Sequence, residues 1–258
     1  MNLHATWTIL ASLVGCVHVR AEVEQRFEHG EHQGLRYRFE LPAGATAENK
    51  RPLVVFLHGG GERGSDNRAQ LSIEAFAHSA ALFGPDTQRH ERVLIVAPQC
   101  PKGQWWYDFR RLSQKNGATT FGVTESLLKV EALIDHLIAT QAVDPKRILL
   151  VGISMGGFAA FDLMARRPGF YHSALIAAAG TEITPVTGIA KSRIYLMHGA
   201  DDSSVPAALA RKTAGVLREA NSTVIYDEVV GAGHNVWTEG FSRTAVVRWL
   251  YGDSSASP

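Results

Sequence analysis

The run Gly152-Ile153-Ser154-Met155-Gly156-Gly157 follows the apolar stretch Arg147-Ile148-Leu149-Leu150-Val151 and precedes a segment with helical spacing. A serine between two glycines, at a sharp turn from strand to helix, has its hydroxyl lifted clear of the sheet edge. The glycines leave room for the strained backbone that such a turn requires. A hydroxyl becomes a useful nucleophile when an imidazole accepts its proton and a carboxylate orients that imidazole. Both groups are supplied downstream. His198-Gly199-Ala200-Asp201-Asp202-Ser203-Ser204-Val205-Pro206 follows one apolar run, and Gly231-Ala232-Gly233-His234-Asn235 follows the last strand candidate. Ser154, His234 and one of the two aspartates are therefore the candidate machinery for acyl transfer.

Asp201 and Asp202 compete for the acid's place, since adjacent carboxylates do not aim at one imidazole. Either could instead be solvated loop charge, or a cap for the helix expected near Pro206. The other ten histidines, His198 included, are assigned by default to surface or core. His58-Gly59-Gly60-Gly61-Glu62-Arg63-Gly64 follows the apolar run Leu53 to Leu57. It lacks the Gly-Lys-Ser/Thr ending of a phosphate-cradling loop, so nucleotide binding is disfavoured. Residues without side chains let backbone N–H groups approach a reacting carbonyl. Gly60 and Met155, the latter at the start of the helix after Ser154, are expected to donate to an oxyanion. Gln104-Trp105-Trp106-Tyr107-Asp108-Phe109 is dense in aromatics, with Trp106 the candidate wall of a substrate cleft and Trp105 and Phe109 packing beneath a loop. Cys100 reads as a small buried residue.

The elements that must position these groups alternate. Strand candidates are Leu35 to Leu41, whose alternating polarity suggests a half-exposed edge, then Leu53 to Leu57, Val93 to Ala97, Ile148 to Val151, Ala174 to Ala178, Ile194 to Met197 and Thr223 to Val230. Leu127, Val130, Leu133, Ile134, Leu137 and Ile138 form a helical apolar stripe. Phe158 to Arg166, Pro206 to Glu219 and Thr244 to Leu250 are further helix candidates. This alternation predicts an α/β fold, a mostly parallel sheet covered on both faces. The candidate site loops all follow strands, which places them at the sheet's carboxyl edge.

The chain has 258 residues, with 26 Lys+Arg against 25 Asp+Glu and a net charge of +1. That balance provides no broad field for nucleic acid or an anionic membrane. Two cysteines exclude a disulfide-built scaffold and a four-thiolate zinc site. No cofactor or metal is expected. Ala5 to Val19 is apolar but short for a membrane span, and fits a secretory signal cleaved after Ala21. A second reading is a lipobox, Leu13-Val14-Gly15-Cys16, which would acylate Cys16 and anchor the chain to a membrane. Export, to the periplasm or beyond, is the expectation, with residues 22–258 forming a single domain and Asp253 to Pro258 frayed.

Ser154, the two downstream loops and the His58 loop together resemble the α/β-hydrolase superfamily, whose members carry their residues in the order Ser…Asp…His. More narrowly, Leu57 to Gly64 and Ala97-Pro98-Gln99-Cys100-Pro101 resemble a bacterial group labelled predicted peptidase or phospholipase/carboxylesterase-like, near polyhydroxybutyrate depolymerase-like and feruloyl esterases. The resemblance runs from about Leu35 to Leu250. The group's acid lies in H-G-x-x-D-x-x-V-P, and counting back from Val205 selects Asp202. What the resemblance implies is a serine carboxylesterase without a large cap domain, acting on a small-molecule ester. A serine peptidase of the prolyl-oligopeptidase-like group is the alternative, and a non-catalytic binding protein on the same fold a third reading. Ester cleavage fits better, because an alkoxide leaves with less need of protonation than an amine.

Overall fold

A computed structural model of the chain describes residues 26–71, 92–113, 122–182, 188–220 and 223–252. The expectations about the signal segment, Cys16 and the last six residues lie outside these ranges. Eight strands form one sheet: β1 (Glu28–His32), β2 (Leu35–Glu40), β3 (Arg51–Leu57), β4 (Leu94–Pro98), β5 (Val143–Ile153), β6 (Ser173–Ala177), β7 (Arg193–Gly199) and β8 (Val224–Val229). Their spatial order is β1-β2-β4-β3-β5-β6-β7-β8. β1 and β2 pair antiparallel, as do β2 and β4, and every other pairing is parallel.

The alternation along each strand divides the core in two. Leu53, Val55 and Leu57 of β3 face one side, where they meet Leu127, Val130 and Leu133 of α1 (Glu125–Thr140) and Phe158 and Phe161 of α2 (Met155–Arg166). Ala210, Ala214 and Leu217 of α3 (Ala207–Glu219) join the same cluster. Val54 and Phe56 face the other side, toward Trp237 of α4 (Trp237–Gly240) and Val246, Trp249 and Leu250 of α5 (Thr244–Leu250). Each of the fully buried Leu, Val and Phe side chains contributes roughly 1.5–3 kcal/mol on leaving water. Apolar contact on both faces explains why β3 to β7 read as continuous hydrophobic runs.

Two local starts matter for the site. Thr124 caps α1, its hydroxyl oxygen accepting from the Leu127 amide at 3.2 Å while the hydroxyl donates to the Trp106 carbonyl at 2.9 Å. α2 is buried on nearly every side, as a helix apolar all round must be. One expectation is corrected: β2 is not an edge strand. β1 lies outside it, joined through a two-residue turn in which Gln33 (φ 51°) and Gly34 (φ 75°) are both left-handed. β1, Glu-His-Gly-Glu-His, carries no apolar alternation that could announce a strand.

Candidate active site

Ser154 stands between the end of β5 and the first residue of α2, with φ 49° and ψ −119°. A positive φ in a residue with a Cβ is strain, and the surroundings hold it: the Ser154 amide donates to Ala177 O at 2.9 Å, and its carbonyl accepts from Gly157 N–H at 2.8 Å. Gly156 permits the close approach of α2 to β3, since a Cβ there would lie 2.0 Å from Leu57 O. The Ser154 side chain makes no capping bond to its helix. Its Oγ lies 3.0 Å from His234 Nε2.

His234 is on the loop after β8, with its ring edge-on to Trp237 at 5.3 Å between centroids. Its Nδ1 lies 2.8 Å from Asp202 Oδ2. A carboxylate oxygen accepts, so Nδ1 carries the proton and Nε2 presents its lone pair to the serine hydroxyl. Asp202 is buried, whereas Asp201 is exposed. Oδ1 of Asp202 accepts from the amides of Ser204 at 2.8 Å and Val205 at 2.9 Å. Burial pushes this carboxyl up, but the Val205 amide, the His234 imidazole and the Ser204 amide together outweigh it and hold the group below its ordinary range. Asp202 thus both caps its own loop and orients His234. The acid and histidine loops are laced together, Asp201 N–H donating to Ala232 O at 2.9 Å and Ala200 N–H to Val229 O at 3.0 Å. Gly199 allows that contact, because a Cβ there would lie 2.2 Å from Gly233 O.

The loop after β3 closes the other side. Gly60 to Glu62 form a single 3₁₀ turn, so the Gly60 amide, like that of Met155, opens a helical segment without a carbonyl partner inside it. Gly59 to Glu62, Ser154, His234, Asn235, Trp237 and Thr238 line one cavity of about 440 Å³. His58 is wholly buried beneath this loop. The Cys100 amide donates to its Nε2 at 2.9 Å, which leaves Nδ1 to donate to Gly59 O at 2.6 Å. Burial pushes its pKa down to about 4, with the Arg63 charge adding to the fall and the bond to Gly59 opposing it. Arg63 fastens the same loop, with Nε 2.8 Å from Gly60 O and its guanidinium 3.7 Å above the Trp105 ring.

The expectation for Trp106 is overturned. Its side chain is 0% exposed and packs tilted against His58, whereas Trp105 is 44% exposed. Trp105, with Tyr107 and Phe109, lines a second cavity of about 790 Å³, and its ring edge lies beside Gly60. A chain of ring contacts leads from there through Phe109 to Phe158, one turn into α2. The pair of tryptophans carries no sequence signal saying which one turns inward. His58, His198 and Arg63 join the site without having been expected there; the signal available was that each histidine stands at the carboxyl end of a buried strand and directly precedes glycine. Among the described residues no group of three or more His, Cys, Asp or Glu is arranged to hold a metal ion, and no helix is long and apolar enough to cross a membrane.

The family model for phospholipases and carboxylesterases matches residues 44–246, which takes in every residue of this site. The chain belongs to that phospholipase/carboxylesterase family. A probable carboxylesterase of Oryza sativa subsp. japonica is 23% identical, with 77% of each chain covered. Among solved structures, a thermostable esterase superposes with a TM-score of 0.80 at 27% identity. That match covers 88% of this chain but 63% of the esterase, so the chain spans less than two thirds of its length. Esterase PE8 superposes with a TM-score of 0.60 at 24% identity, covering 84% of this chain and 99% of the other. The family's α/β-hydrolase fold is therefore the fold of this chain.

Proposed function

We propose that this member of the family is a serine hydrolase that cleaves carboxylic esters through an acyl-enzyme. The observation that carries the reading is the continuous chain Ser154 Oγ, His234 Nε2, His234 Nδ1, Asp202 Oδ2, with links of 3.0 and 2.8 Å, opening into the 440 Å³ cavity. An ester carbonyl placed over Ser154 is attacked by Oγ as His234 Nε2 takes the hydroxyl proton. Asp202 holds the imidazole in the required tautomer and stabilises the imidazolium. The negative charge that develops on the carbonyl oxygen is met by the Gly60 and Met155 amides, each at the start of a helical turn. Collapse expels the alcohol, protonated by His234, and leaves the acyl group on Ser154. Water, deprotonated by the same nitrogen, then releases the acid and restores the serine. The chemistry draws on side chains and backbone amides alone.

The test is hydrolysis of p-nitrophenyl acetate together with labelling by a fluorophosphonate probe. Ser154→Ala is expected to lower kcat by roughly 10⁴-fold or more and to abolish labelling with the fold intact. Undiminished turnover in that variant removes the mechanism. A panel of acyl lengths, feruloyl esters and peptide amides ranks substrates, and faster cleavage of amides than of short esters would favour the peptidase reading.

A further inference from the structure

His198 is the last but one residue of β7, and its side chain is fully buried four residues before Asp202. Its Nε2 lies 2.9 Å from the Val205 carbonyl and 3.3 Å from Asp202 Oδ2. A carbonyl accepts, so the proton sits on Nε2 and is donated to Val205 O, with the Asp202 oxygen in close contact beside it. The consequence is an exposed weakness at the other nitrogen: Nδ1 is buried with no hydrogen-bond partner among the described residues. An unpaired buried nitrogen costs stability, and an apolar side chain of similar shape would avoid that cost. What the imidazole supplies and an apolar group would not is an N–H that anchors to Val205 O while lying against the same carboxylate oxygen that His234 uses.

We infer that His198 is a positioning residue for the Ser154 chemistry, a second imidazole that fixes Asp202 Oδ2 in line with His234. The inference rests on the serine-hydrolase reading above. Asp202 then receives three hydrogen bonds, two amides on Oδ1 and His234 on Oδ2, while the His198 ring packs its Nε2 3.3 Å from Oδ2 and blocks that oxygen from turning away from His234. The bond to Val205 O ties the far end of the acid loop to β7, so the loop's two ends are fixed through one ring.

The experiment compares His198→Gln, His198→Asn and His198→Leu. A glutamine amide reaches the place of Nε2 and can still donate to Val205 O beside Asp202, while an asparagine amide stops short at the place of Nδ1. The expected result is that Gln retains most of kcat, while Asn and Leu lose roughly 10- to 100-fold in kcat with KM changed less than about threefold. The downfield proton resonance of His234 Nδ1 should persist in Gln and move or broaden in Asn. The Gln and Asn pair decides the matter if Leu fails to fold. Equal activity in Gln and Asn, whether high or low, overturns the inference. Fluorophosphonate labelling of the unaltered chain separates the two failures: without labelling the serine-hydrolase reading itself falls, whereas labelling at equal rates in Gln and Asn sinks only the role of His198.

Discussion

His58 Nδ1 donates to the carbonyl of Gly59 at 2.6 Å, and that carbonyl belongs to the same planar peptide as the amide of Gly60. Carbonyl and amide point in opposite directions across a trans peptide. Drawing Gly59 O down onto a buried ring therefore turns Gly60 N–H away from the core and toward the cavity that Gly60 shares with Ser154. The Cys100 amide, by occupying Nε2, fixes the tautomer that makes this possible.

Replacing His58 with glutamine is accordingly expected to lower kcat by about 10- to 100-fold while changing KM little, because the misdirected amide matters most when the oxygen is charged. Stability should respond as well. The native imidazole titrates near 4 and the unfolded one near 6.5, so between those values the unfolded chain binds a proton that the folded chain refuses. Stability is then full above about pH 6.5 and falls as pH drops toward 4, by about 3 kcal/mol in all. Urea unfolding at pH 7 and at pH 4.5 should show His58→Gln lacking that part of the acid loss; equal slopes in both proteins would contradict it.

The neighbouring aspartates should behave differently. Asp202→Asn removes the ionised oxygen behind His234 and favours the wrong tautomer, with an expected loss in kcat of roughly 10⁴-fold. Asp201→Asn alters an exposed side chain whose backbone amide does the structural work, and should stay within about threefold of the parent. Steady-state kinetics on both variants, with circular dichroism to confirm folding, checks the contrast.

Trp105 and Trp106 provide a second pair. Trp106→Ala empties a core position and is expected to cost about 3–5 kcal/mol, or roughly 6–20 °C in Tm. Trp105→Ala should leave Tm nearly unchanged, yet alter the ranking of esters by acyl or alcohol size, since its ring walls the cavity beside Gly60. An unchanged ranking would take Trp105 out of substrate selection.

Gly156→Ala would place a methyl group 2.0 Å from Leu57 O, a backbone atom at the end of β3 that cannot give way cheaply. The expected cost is about 3 kcal/mol or more, and activity should fall further than stability because the displaced helix carries Met155 N–H. Differential scanning calorimetry beside kcat measures both.

Much of this arrangement was legible in the sequence because its causes are local. Continuous apolar runs marked β3 to β7, and the glycines around Ser154 marked the turn. The spacing before Val205 in the family's motif selects Asp202; residue type alone leaves it level with Asp201, from which the structure separates it by burial. The inward turn of Trp106 depends on His58 and on the cap at Thr124, both distant in sequence. β1 escaped notice because an outer strand exposed on both sides needs no apolar residues, and its hairpin turn is Gln-Gly rather than a stronger turn signal.

Ser154 is delivered by β5, near the middle of the sheet, whereas His234 is delivered by β8, the outermost strand, whose residues after Val224 are only partly covered. Strands at a margin open more readily than those at the centre. Warming should therefore silence turnover by a brief peeling at the rim, recovered on cooling, before the interior comes apart.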